Sequence, residues 1–69
     1  MKYGIFSKSH NKSDNHGWYG GYMMNKVWWV CDKKDATDFM SRLGAEETID
    51  VMRQLSSMPE DCVVLPILD

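Results

Sequence analysis

The residue types that most often carry chemistry are sparse in this chain. Two histidines, His10 and His16, bracket a polar segment, and two cysteines, Cys31 and Cys62, lie in apolar runs. Four such side chains could hold zinc if they converged, but no CxxC or HxxxH spacing supports a site. Cysteines in apolar runs are expected to be buried, reduced thiols, which could face each other across paired strands. The sequence therefore predicts no metal site and no cofactor.

Other catalytic patterns are also weak. The segment Asp14-Asn15-His16-Gly17 resembles part of a calcium loop, but the later bidentate acid is missing. Either histidine could act as a catalytic base with Asp14 as the group that orients it. Both histidines, however, lie in a predicted loop with no apolar pocket. No glycine-rich phosphate loop precedes a Lys-Ser or Lys-Thr pair. We therefore predict that the protein is not an enzyme.

Aromatic residues are the more informative group. Five of them cluster in the first half of the chain: Trp18, Tyr19, Tyr22, Trp28 and Trp29. They could form a small Trp-rich core or supply the hot spots of a protein interface. Together with Lys12 and Lys26, they could also stack single-stranded bases. The methionine content favours an adaptable binding surface over a rigid catalytic pocket.

The elements that position these rings can be predicted from the patterning. Residues 22–31 read as a strand that is apolar on both faces, which is typical of a central strand covered on both sides. Residues 2–8 predict a first strand and residues 9–17 an exposed loop. The final run, residues 62–68, predicts an edge strand because Pro66 cannot donate to a ladder.

Two short helices are predicted between these strands. The first contains the apolar stripe Ala36, Phe39, Met40 and Leu43 and ends at Gly44. The second begins near Ala45 and ends before Pro59, with its inward residues listed here: Ala45, Ile49, Met52, Leu55 and Met58. The predicted fold is a single α+β domain, residues 1–69. It has a three-stranded, mainly antiparallel sheet in the order β-β-α-α-β and two short helices on one face.

A chain of 69 residues buries only about 60% of its unfolded surface. Two short helices can cover one face of three strands but not the second, so either the 9–21 segment or another chain must cover it. We favour another chain, and therefore expect a homodimer. The apolar runs are too short to span a bilayer and no signal peptide is evident, so we expect a cytoplasmic protein and no membrane partner.

Charge is unevenly distributed along the chain. Residues 1–31 carry four lysines and one aspartate, a net charge of +3, whereas residues 32–69 carry four basic and nine acidic residues, a net charge of −5. This asymmetry suits docking to a complementary protein or to a second copy. Neither half is basic enough to favour nucleic acid.

The length, the Trp-rich second strand, the segment Asp32–Gly44 (DKKDATDFMSRLG) and the β-rich terminal run together resemble many small proteins encoded by bacteriophages. That group includes inhibitors of host defence, such as anti-CRISPR, anti-restriction and anti-BREX proteins. The resemblance implies a docking module built on a small sheet backed by helices, and a host cytoplasmic location. It carries over no functional residue.

We therefore expect a non-enzymatic interaction protein that binds a host protein and inhibits it sterically. The expected partner-binding residues are the five aromatic residues named above and three acids of the second helix: Glu46, Glu47 and Asp50. Two other functions stay open. A nucleic-acid-binding regulator would use Lys8, Lys12 and Lys26 with the rings. An acidic DNA mimic would use the three helix acids with Glu60 and Asp61.

Overall fold

The computed structural model describes residues 1–55 and 58–67 of the chain. Its elements are β1 (Lys2–Ser7), α1 (Lys8–Asp14), β2 (Trp18–Met23), β3 (Lys26–Val30), a 3-10 turn (Lys33–Asp35), α2 (Arg42–Leu55) and β4 (Cys62–Ile67). The strands form one antiparallel sheet in the order β3-β2-β1-β4. The α+β class, the antiparallel sheet and the number of helices are confirmed. The predicted three strands and their order are wrong, because the chain runs β-α-β-β-α-β.

The predicted central strand contains a turn. Met24 and Asn25 have φ angles of 55° and 62°, and two consecutive left-handed residues form the two-residue turn whose twist matches paired strands. The apolar run therefore folds back on itself as the β2–β3 hairpin. Because β3 lies at one edge of the sheet, the prediction of a central strand covered on both sides is wrong.

The prediction of an edge strand near the C-terminal end is confirmed. β4 pairs with β1 over six residues, from Lys2 opposite Ile67 to Ser7 opposite Cys62, and nothing follows it in the sheet order. Pro66 is tolerated in β4 because an edge strand has one side without ladder partners. The predicted end of this strand, Leu68, lies outside the described residues.

An extended segment joins the two halves of the sheet. β1 and β2 share the single register pair Phe6 and Trp18. Beyond it, Thr37 donates its backbone N–H to Tyr19 of β2 at 2.9 Å, while Phe39 exchanges two backbone hydrogen bonds with Tyr3 of β1, at 2.8 and 2.9 Å. The helix predicted over this region is wrong, since these hydrogen bonds hold the backbone extended.

The second predicted helix is confirmed as α2, which begins three residues earlier than expected. Ala45, Ile49 and Met52 are buried as predicted, whereas Leu55 is exposed. Gly44 lies inside the helix instead of ending one. It donates its N–H to Ser41 Oγ at 3.1 Å, which satisfies a first-turn donor. The predicted extension toward Met58 crosses residues 56–57, outside the described residues.

The predicted 9–17 loop contains a short helix, α1, although the expected exposure of the segment is largely confirmed. α1 has no buried residue, so packing of an apolar stripe cannot explain it. Ser7 caps its N-terminus by accepting the His10 N–H at 3.4 Å, and Asp61 accepts the Ser9 N–H at 2.7 Å. These hydrogen bonds fix the first turn of the helix.

The core lies between α2 and one face of the sheet. Its buried members are Ile5, Tyr19, Ala45, Ile49, Met52 and Met58. His10 of α1 stacks on Trp29 at 4.6 Å between ring centroids. Cys62 is half-buried, but Cys31 is exposed, so the prediction of two buried thiols is wrong for Cys31. The two thiols do not meet, because they lie at the two opposite edge strands of the sheet.

Candidate protein-docking face

The two faces of the sheet differ in what covers them. Ile5 on β1 and its neighbour Val64 on β4 pack with α2 in the core. Side chains alternate along strands, so the residues one position away point to the other side, which we call the open face. Its large apolar members are Phe6, Trp18, Trp28, Val30, Val63, Leu65 and Ile67. α2 lies against the opposite face, whereas α1 lies at the end of the sheet, with His10 stacked on Trp29 and Asn11 beside Gly17 near Phe6.

Two glycines let large side chains lie flat on the open face. A Cβ at Gly4 would clash with the Ile67 side chain and come within 3.2 Å of the Trp18 ring. A Cβ at Gly20 would come within 2.8 Å of a Val30 methyl. Trp18 also packs against Phe6, with ring centroids 5.0 Å apart and planes at 59°. The glycines thus provide the space for a continuous apolar surface.

Part of this surface is accessible to a partner, although Ile67 is buried and Phe6, Trp18 and Val30 are half-buried. Trp28 is 47% exposed, and its indole N–H donates to the Met23 carbonyl at 3.2 Å. Val63 and Leu65 are also exposed on the open face, on β4 at the opposite edge of the sheet. Four strands spaced about 4.8 Å apart and about 17 Å long give this face of the sheet a footprint of roughly 300 Å², polar and apolar positions together. The largest contiguous apolar patch on a small protein is often functional.

The open face is weakly basic at one end. Lys26 shares the face with Trp28 and Val30, and Lys2 lies at the same end of the sheet, where its ammonium is 3.2 Å from Asp38. The strand residues include no acid. The face is therefore apolar over most of its length and carries positive charge only at the end where β1 and β3 begin.

The structure separates the predicted binding residues into two groups. Of the five aromatic residues, Trp18 and Trp28 lie on the open face. The other three pack in or against the core: Tyr19, Tyr22 and Trp29. Burial raises the pKa of the Tyr19 hydroxyl above its ordinary value. The helix acids are exposed on α2, away from the open face, and are Glu46, Glu47 and Asp50.

Two of those acids line an open groove between α2 and β4. The groove has a volume of about 330 Å³, and its lining residues are Glu46, Ile49, Asp50, Arg53 and Cys62. Burial, aided by the Asp61 carboxylate, raises the pKa of the Cys62 thiol to about 11, although Arg53 opposes the shift. A thiol with that pKa stays protonated at neutral pH, so it is a poor nucleophile there.

The polar cluster at the base of α1 has a structural role. Ser7 is fully buried and donates to Asp61 Oδ1 at 2.9 Å, while Ser9 contributes its backbone N–H and its hydroxyl to the same carboxylate. These hydrogen bonds, that of the Ser9 backbone first, lower the pKa of Asp61. Because the Asp61 carboxylate already accepts hydrogen bonds from Ser7 and Ser9, it is less available to imitate a DNA phosphate.

The histidines and cysteines are dispersed. His10 stacks on Trp29, and His16 contacts Asp14 within its own turn, where its Nδ1 lies 2.6 Å from the Asp14 carbonyl oxygen. Among residues 1–55 and 58–67, no three His, Cys, Asp or Glu side chains converge in a way that could hold a metal ion.

Most of the open face was not predicted from the sequence. The missed residues are Phe6, Val30, Val63, Leu65 and Ile67. The β-forming run 62–68 is apolar at every position, so it has no polar and apolar alternation from which its two faces could be assigned.

Comparison of the chain with protein-family models, with curated proteins and with solved structures finds no match. In the part of the chain that the structure describes, no helix is both long and apolar enough to cross a membrane.

Proposed function

We propose that this chain is a non-enzymatic protein-binding module whose open face docks onto a partner protein. The observation that carries the proposal is the uncovered apolar surface around Trp18 and Trp28. Tryptophan at the centre of an apolar patch is the residue type that most often dominates protein interfaces. By analogy with the small phage-encoded anti-defence proteins that the chain resembles, the partner is a host protein in the cytoplasm, inhibited by steric occlusion.

The charge distribution favours a protein partner over a nucleic acid. Phosphate binding needs several well-placed cations, but within residues 1–55 and 58–67 the open face has only Lys26 and Lys2, both at one end, and Lys2 is bridged to Asp38. Lys8 and Lys12 belong to α1, which follows β1 and lies outside the strands that form the open face. An apolar face with a basic end fits a protein surface that presents an apolar ridge beside an acidic group.

The test is affinity capture from host lysate with tagged protein, with and without nuclease, using the variant Trp28→Ala. Loss of an interface hot spot typically costs at least about 2 kcal/mol, which is roughly a 30-fold loss of affinity. We expect this variant to stay folded, because about half of the ring is already exposed. Trp29→Ala should instead destabilise the fold by about 2–3 kcal/mol, because that ring packs between Tyr19 and His10.

Leu43→Ala is the matched control, because Leu43 is 64% exposed on α2 and far from the open face. The proposal requires a protein that the wild type and Leu43→Ala retain after nuclease and that Trp28→Ala loses. Equal retention by all folded variants would refute docking through the open face. Recovery that disappears with nuclease would favour nucleic-acid binding instead.

A further inference from the structure

The two edges of the sheet are protected to different degrees. Proteins commonly blunt edge strands with proline, charge or irregularity, since an exposed edge invites pairing with another chain. β4 contains Pro66, which lacks an N–H. β3 has the sequence Lys26-Val27-Trp28-Trp29-Val30, with no proline and one charge at its first residue. The register shift near Gly20 places the extra residue on β2, so β3 itself stays regular.

The hairpin geometry identifies the backbone groups at the β3 edge. In a two-residue turn with both φ angles positive, the flanking residues, here Met23 and Lys26, form a hydrogen-bonded pair. Hydrogen-bonded and non-hydrogen-bonded positions then alternate along the strand. Trp28 therefore bonds inward to β2, whereas Val27 and Trp29 direct their N–H and C=O groups outward. Among the described residues, none supplies a backbone partner to these outward groups.

We propose that a second copy of this chain pairs antiparallel along β3, about a two-fold axis at Trp28. In that register Val27 faces Trp29 of the second copy, and Trp29 faces its Val27, so the outward groups form four N–H···O bonds across the axis. The two Trp28 side chains become direct cross-strand neighbours on the open face, an arrangement that favours aromatic pairs.

Charge favours the antiparallel register over the parallel one for pairing with a second copy. A parallel pairing would place Lys26 beside its own equivalent, and like charges directly opposite are destabilising. The antiparallel pairing places Lys26 beside Val30 of the second copy. The two lysines are then at least four residues, about 13 Å, apart, which exceeds the Debye length of about 8 Å at physiological salt. Every polar backbone group offered by β3 finds its complement in β3 itself.

The pairing would extend the sheet to eight strands and place both open faces on the same side, because the two-fold axis runs perpendicular to the sheet. The footprint of the combined face doubles to roughly 600 Å². This inference does not depend on the proposed function, because it concerns purified protein without any partner.

The test combines sedimentation with amide hydrogen exchange on the wild-type protein. At about 1 mM we expect the mass to approach twice the 8.0 kDa of the chain, and the amides of Val27 and Trp29 to exchange at least tenfold more slowly than at about 20 µM. The Trp28 amide should be protected at both concentrations. A monomer at 1 mM, or equally fast exchange of Val27 and Trp29 at both concentrations, would overturn the proposal.

A pair of lysine substitutions separates edge pairing from face-to-face packing. Trp28→Lys places like charges across the two-fold axis and should give a monomer, with far-UV circular dichroism to verify folding. Leu65→Lys puts the same charge on the open face of β4, at the opposite edge, and should leave the dimer intact. If Leu65→Lys also abolishes dimerisation, the second copy covers the open face and the edge proposal is wrong. The exchange data on the wild type stand even if Trp28→Lys fails to fold.

Discussion

Replacing Ser7 with alanine tests how α1 is held to the sheet. Ser7 is completely buried at the end of β1, and its hydroxyl links two elements. It accepts the His10 N–H as the N-cap of α1 and donates to Asp61 Oδ1 at 2.9 Å. Removing an N-cap hydroxyl costs about 1 kcal/mol, and losing a part-buried hydrogen bond costs about another 1 kcal/mol.

We therefore expect Ser7→Ala to lower the free energy of unfolding by about 2 kcal/mol. For a domain of this size, each kcal/mol shifts the melting temperature by about 4–8 °C, so the variant should melt roughly 8–16 °C below the wild type. Thermal and urea unfolding followed by circular dichroism would measure both quantities, and the urea m-value should stay unchanged because the folded state is retained.

Ser9→Ala is the matched control for this substitution. It removes a hydroxyl whose contact with Asp61 is longer, 3.3 Å, and exposed, while the short backbone hydrogen bond from Ser9 to Asp61 remains. We expect it to cost less than about 0.5 kcal/mol. If Ser7→Ala is as mild as Ser9→Ala, the buried hydroxyl does not hold α1 and the reasoning about this cluster is wrong.

Two further predictions concern titratable groups. Because hydrogen bonds lower the pKa of Asp61 in the folded state, its stabilisation is complete above its ordinary pKa of about 4 and is lost as the pH falls through the lowered value. The stability difference between wild type and Asp61→Asn should therefore be constant above about pH 5 and shrink below about pH 4 in urea titrations; an unchanged difference down to pH 2 would contradict this cause. A pKa of about 11 leaves roughly 0.1% of the Cys62 thiol ionised at pH 8. Iodoacetamide should then modify the exposed Cys31 and spare Cys62 in the folded protein, as peptide mapping would show, and equal labelling of both thiols would refute this.

The sequence predicts the α+β class and the packing of α2 because those features follow from repeated patterns. Ala45, Ile49 and Met52 recur at helical spacing and are buried. Pro66 correctly indicates an edge strand, because the missing N–H is a local property of the residue. Such signals need no knowledge of the rest of the chain.

The β2–β3 hairpin cannot be predicted from the sequence because its turn lacks the usual residue types. Asn-Gly and Asp-Gly are the common signals for a two-residue turn with positive φ, but here the pair is Met24-Asn25. A methionine in the left-handed region is disfavoured by its own sterics. Pairing between β2 and β3 supplies the stabilisation that the turn residues do not, and only the assembled sheet reveals it.

The apolar stripe at Ala36, Phe39 and Met40 predicts a helix where the chain is extended. Its spacing suits a helix, but the backbone N–H of Thr37 and both backbone groups of Phe39 are used by neighbouring strands. Thr37 also donates its hydroxyl to the Gly20 carbonyl at 2.8 Å. Long-range hydrogen bonds decide the conformation of this segment, so a local periodicity cannot predict it.

The extended segment between β1 and β2 constrains the order in which the chain can fold. The β2–β3 hairpin is local and can form within microseconds, whereas β1 pairs with β4 across most of the chain, from Lys2 to Ile67. Thr37 and Phe39 follow the hairpin in sequence and attach it to β1. The hairpin can thus exist before its attachment, but the sheet cannot become continuous until both distant strands and the connecting segment have met. Pairing of β1 with β4 requires closure of a loop of some 60 residues, so this distant contact carries a larger entropy cost than the local hairpin.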